Sequence, residues 1–114
     1  MDDDEIVVTW RAAIVPENRA QPMHGRLSKI GRGRAVMKME HNLQPGDHCT
    51  LAVMLPKRHP EEPSQFFEGR GVVALSVLSA AHFYVTLEKL KLAGNGEALL
   101  RERIESHRQV WKKP

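Results

Sequence analysis

"GRLSKIGRGRAV", residues 25–36, decides how the first half of this chain is read. It sits inside a longer pattern: MHGRLSKI, then Gly-Arg-Gly, then RAVMKM. Two short strands around a glycine-containing turn is the simplest account of that pattern. No P-loop motif follows the glycines and no helix opens after them, so the nucleotide-loop readings fail. Two readings of the turn stay open. Either its arginines are solvated at a tight strand connection, or Arg32 and Arg34, with the backbone N–H groups around Gly31 and Gly33, make an anion-binding surface.

Working outward, the flanks are also strand-like. IVVTWRAAIV (6–15) is β-branched and free of breakers, with Val8, Trp10, Ala12 and Ile14 on one face. Pro45-Gly46 carries the type II turn signature, because Pro presets the first turn residue and Gly accepts positive φ at the second. HCTLAVML (48–55) alternates strictly, with Cys49, Leu51, Val53 and Leu55 together. FFEGRGVVALSVL is a longer strand, and Gly69 and Gly71 imply a bulge or a close backbone approach near its start. SAAH turns the chain, and HFYVTLEKL returns with Phe83, Val85 and Leu87 on one face. PKRHPEEPSQ, between strands, reads as a long exposed loop with Glu61-Glu62 as a solubilising tip.

Past Gly94-Asn95-Gly96 the character changes. Good helix formers follow, and Leu100, Ile104, His107 and Trp111 form a stripe at helical spacing. Glu97 near the helix start and Lys112-Lys113 near its end suit the macrodipole. That stripe either caps the sheet or presents Leu100, Ile104 and Trp111 to a partner, a second copy of the chain included.

Six sequential strands with short connections and one late helix favour a mainly β fold: a small antiparallel six-stranded β-barrel with a C-terminal amphipathic α-helix. The organisation expected is an acidic tail at 1–5, a barrel at 6–92 and a helix at 95–111 of the same domain. A length of 114 residues suits that single domain.

Charge and composition narrow the function. The net charge of +3 is a mild excess, but it is unevenly placed. Asp2-Asp3-Asp4-Glu5 opens the chain, whereas Arg19, Arg26, Lys29, Arg32, Arg34 and Lys38 follow with no acid among residues 18–39. A nucleic-acid-binding barrel normally sets stacking aromatics beside such charge, and none lies between Trp10 and Phe66, which disfavours that partner. The six histidines are scattered, and with a single cysteine no metal-ligand spacing appears. No catalytic triad or carboxylate pair stands out, so no enzyme is expected and no cofactor is implied. Cys49 reads as a buried structural thiol. A lone cysteine excludes an intrachain disulfide and fits a reducing compartment. No signal peptide and no apolar run of membrane-spanning length is visible, and the expected location is the cytoplasm.

The order of these features resembles a PilZ domain from Val7 to about Ile104. The pieces are the first strand, the G-x-L-x-x-I-G-R-G-R-A-V segment, the L-x-P-G-D turn with its strand ending in Leu-Pro, the proline-rich loop, F-x-G-x-G-V-V, F-Y-V-T-L and the final helix. The resemblance implies a place in cyclic di-GMP signalling. Receptors of that family carry R-x-x-x-R before the first strand and D/N-x-S-x-x-G on the barrel wall. Here the residues before Ile6 are Asp2, Asp3, Asp4 and Glu5, and the Asp/Asn, Ser and Gly positions are Lys29, Gly31 and Arg34. Lys29 accepts no hydrogen bond and Gly31 has no hydroxyl. The chain therefore resembles the degenerate members, which act through protein partners, often in pilus or flagellar motility. Two alternatives remain: cyclic di-GMP bound by Arg26, Lys29, Arg32 and Arg34 in another geometry, and a nucleic-acid-binding small barrel.

Overall fold

A computed structural model describes the backbone of residues 5–19 and 21–112 and the side chains as far as His107. Six strands, β1 (Ile6–Pro16), β2 (Met23–Gly31), β3 (Arg34–Met39), β4 (His48–Leu55), β5 (Gln65–Ser79) and β6 (His82–Leu92), precede one helix, α1 (Gly96–Lys112). Every pairing is antiparallel, and the strands close in the order β1-β2-β3-β6-β5-β4. Closure removes the free edges that an open sheet of this size would expose.

Strand alternation builds the interior. Cys49, Leu51, Val53 and Leu55 of β4 all point inward, as do Val8, Ala12 and Ile14 of β1, with Trp10 partly buried beside them. Leu27, Ile30, Met37, Leu51, Val85 and Leu87 are fully buried at the barrel centre. Aliphatic side chains and methionines fill the space that the scarce aromatics leave.

The punctuation follows the residues. Gly31 pairs with Arg34 across a two-residue turn in which Gly33 has φ 77°, a left-handed conformation that costs glycine little. The Gly33 carbonyl then accepts the Leu90 N–H at 3.0 Å, which ties the turn to β6. At Pro45-Gly46 the expected turn closes with Asp47 N–H donating to the Gln44 carbonyl at 3.1 Å. The register of β5 on β6 shifts between Arg70 and Val72, where the glycines pointed to a bulge. A Cβ on Gly69 would stand 2.7 Å from the Lys91 carbonyl, so the close approach of β5 and β6 requires glycine there.

The helix starts one residue later than expected and runs to Lys112. Leu99 N–H donates to the Asn95 carbonyl at 3.0 Å, the first bond of the helix. Leu100 and Ile104 join the hydrophobic core, and α1 packs on β5. Among the described residues, no helix is long and apolar enough to cross a membrane.

Candidate functional site

The five basic-wall candidates all lie on the β2–β3 hairpin, but the fold separates them. A register shift between Leu27 and Lys29 puts Arg26 and Lys29, three apart in sequence, on the outside of β2. The Lys29 ammonium meets the Glu5 carboxylate at 3.6 Å. Gly31 is buried. Arg32, at the turn, faces α1, where it lines a crevice of about 40 Å³ with Glu97, Leu100, Arg101, Ile104 and Glu105. Arg34 is exposed at the start of β3 and pairs in register with Glu88 of β6. Arg26 stands opposite Lys38, four residues along β3 from Arg34, a separation of roughly 13 Å at strand rise. One compact phosphate cradle does not form from these five residues.

A different cationic group does form. Arg11 of β1 pairs with Arg26 of β2, and Arg26 pairs with Lys38 of β3. All three point outward and are exposed. Arg26 Nη1 donates to the Thr9 carbonyl at 3.3 Å. Among the described residues, no carboxylate reaches any of the three. Ion pairs formed elsewhere include those of Lys29 with Glu5, Arg58 with Glu62 and Glu102, Arg70 with Glu17, and Arg103 with Glu62. Sequence reasoning had Arg26 and missed Arg11 and Lys38 as its neighbours. Each strand's outward residues can be read from alternation, but the register that aligns them cannot.

On the side of Arg11 away from Lys38, the outer wall is hollowed. A trough of about 650 Å³ runs over β1, β2 and β4, between Arg11 and Arg26 on one side and Met54 and Phe66 on the other. Phe66 is 61% exposed and Met54 57%.

The proline-rich loop is where the structure corrects the sequence reading. Glu62 is a buried carboxylate, not a solvated tip. Arg58 closes on it with Nη2 at 2.6 Å and Nε at 3.0 Å from Oε1, and with its backbone N–H 2.7 Å from Oε2. Arg103 of α1, also buried, donates to Glu62 Oε1 at 3.3 Å, to the Pro56 carbonyl at 2.8 Å and to Gln65 Oε1 at 3.2 Å. Arg58 Nη1 reaches Glu102 at 2.9 Å. The side-chain and backbone donors of Arg58 hold the Glu62 carboxyl down at about 2. Burial, then the neighbouring Arg58 charge, pulls the Arg103 guanidinium below its ordinary value. The cluster clamps the β4–β5 loop to the helix. The signal for it was Arg103 itself. It lies three residues from Leu100 and one from Ile104, on the buried side of the helix, and a buried arginine requires an acidic partner.

Leu100 and Ile104, offered as a helix interaction face, are buried at 3% and 6% exposure against the barrel. Those two side chains cap the barrel in this chain. The Trp111 side chain and Asp2–Asp4 lie outside the described residues. Cys49 is buried, and burial, with Asp47 and Glu17 adding to it, pushes its thiol up to about 11. The protonated thiol is a poor nucleophile. Among the described residues, no group of three or more His, Cys, Asp or Glu gathers as metal ligands.

No family model and no curated protein sequence matches this chain. Among solved structures, the inhibitor of motility MotI/DgrA of Bacillus subtilis matches with a TM-score of 0.77 over 97% of this chain, at 20% sequence identity. The match takes in 52% of that protein, so the chain spans about half its length. The barrel and its closing helix are therefore a fold that this chain shares with part of a motility inhibitor.

Proposed function

We propose that this chain is a PilZ-like domain of the cyclic di-GMP signalling and motility type, working as a non-enzymatic adaptor that holds a protein partner in place of the nucleotide. One observation carries the reading: the Glu5–Lys29 pair. The resemblance places an arginine pair before β1 and a carboxylate or amide on β2. This chain has a carboxylate before β1 and an ammonium on β2, joined to each other at 3.6 Å. The polarity of the two positions is inverted. Buried Gly31 adds no hydroxyl, and Arg32 is turned toward the acids of α1. The shared fold with a motility inhibitor supports the same class of role.

The test is isothermal calorimetry with cyclic di-GMP at near-physiological salt. No heat of binding is expected. A micromolar or tighter signal that weakens on charge reversal at Arg32 or Arg34 overturns the adaptor reading. The Arg11–Arg26–Lys38 row, which has no ion-pair partner among the described residues, favours a second reading, nucleotide binding at a non-standard basic surface. For that reading, a signal lost in Arg26→Glu and kept in Arg34→Glu is the distinguishing result.

A further inference from the structure

This inference rests on the adaptor reading and names the surface and the chemistry that it fits. β1 lies between β2 and β4 in the barrel wall. On its outer side Ala13 pairs with Ala52 of β4, and these two short side chains make the floor of the trough. Three adjacent strands span about 10 Å between the outer two, close to the diameter of an α-helix with its side chains.

Two features of this wall are unfavourable in the isolated chain. Met54 and Phe66 expose large apolar surfaces to water. Like charges directly opposite across strands repel, and Arg11, Arg26 and Lys38 stack two such pairs in succession with no described carboxylate within ion-pair distance. A single occupant relieves both. It must set apolar side chains against Met54, Phe66, Ala13 and Ala52 and carboxylates against the row. We propose that the trough over β4, β1 and β2 is the docking site for an acidic amphipathic helix of a partner protein. Its apolar stripe lies along the floor, and acidic residues beside that stripe offer carboxylates to the Arg11, Arg26 and Lys38 row, which crosses the strands at one level. Arginine suits this task because its planar fork grips a carboxylate with two parallel hydrogen bonds.

The test titrates the full chain with two synthetic helical peptides of one pattern, with Leu at i, i+3, i+4 and i+7. One carries Glu on its polar face and the other Lys. A single-stranded oligothymidine is the third probe, and backbone amide NMR shifts are the readout. The acidic peptide should move the amides of residues 11–13, 24–26, 52–54 and 66. The basic peptide should not bind. Arg11→Ser/Arg26→Ser should weaken the acidic peptide by about tenfold or more, the size of losing charge-assisted bonds. Phe66→Ser should weaken it with every charge intact. These positions are exposed, and unchanged circular dichroism will show that the variants fold. An equal response to both peptides, shifts elsewhere on the barrel, no response to the acidic peptide, or tighter oligothymidine binding at these residues overturns the proposal. If the double variant retains the proteins that the wild-type chain captures from native extract, the trough is the wrong surface and the adaptor reading stands. Cyclic di-GMP binding in calorimetry defeats the adaptor reading itself, whatever the peptides do.

Discussion

Around Glu62, the carboxylate and the Arg103 guanidinium are buried, the half-exposed Arg58 guanidinium closes over them, and each is held by ion pairs and hydrogen bonds. Around Arg26, two guanidiniums and an ammonium stand in solvent with no described acid in ion-pair contact. The residue types are similar and the consequences opposite. The clamp joins a loop to a helix 41 residues further on, and each of its charges has its partner inside the chain. The row has no ion-pair partner among the described residues. A charged cluster on a small barrel is therefore assigned by where its counter-charges come from, not by its composition.

The largest expected effect tests what the clamp sits on. Leu100→Ala removes a core side chain that is 3% exposed, and should destabilise by about 2–5 kcal/mol in urea unfolding. A loss below about 1 kcal/mol would mean that α1 is peripheral to the core and that the clamp alone holds it.

Next comes the clamp. Glu62→Ala leaves Arg103 buried without its carboxylate, and should lower the melting temperature by several degrees. Glu62→Leu/Arg103→Leu, which removes both charges, should cost less than Glu62→Ala alone, because an unpaired buried charge is worse than none. If the double variant melts lower than the single one, the clamp contributes more than the repair of its own desolvation.

The pH dependence is smaller and has a definite sign. Glu62 is depressed from 4.5 to about 2, so its contribution to stability is fully present above 4.5. As pH falls toward 2, the unfolded chain takes up a proton that the folded one refuses, and stability declines until the folded carboxyl is itself protonated. Glu62→Gln should flatten this part of the acid denaturation profile. An unchanged profile would show that the carboxyl is not held down.

The row should show the smallest effect on stability. Arg11→Ser/Arg26→Ser is expected to unfold within about 0.5 kcal/mol of the parent, or slightly above it as the cross-strand repulsion is relieved. A clear loss would mean that the row is part of the fold and would erase the contrast with the clamp.

The elements of the barrel were legible because each rests on a local rule. HCTLAVML becomes β4 because period-two alternation has one solution when one face is buried. Pro45-Gly46 and Gly31–Arg34 turn because proline and glycine fix what their backbones adopt. Gly69 was readable as a close approach because only its missing Cβ lets β5 meet β6. The two charged regions were not legible, for different reasons. Glu62 looks solvated in a run of prolines and charges, and the arginine that buries it lies on another element. The site proposed on the hairpin held Arg26, Lys29, Gly31, Arg32 and Arg34 together because they are close in sequence. The barrel sends Arg32 to the helix and Lys29 to Glu5, and brings Arg26 to Arg11 and Lys38.

The sequence by itself determined the six strands, their turns, the late helix and the inward faces, since alternation, turn chemistry and helical spacing act over a few residues at a time. Only the tertiary structure decided which charges are neighbours. Strand register and helix docking are set by core packing across the whole chain. They aligned Arg11, Arg26 and Lys38 into one row and closed Arg58, Glu62 and Arg103 into another group.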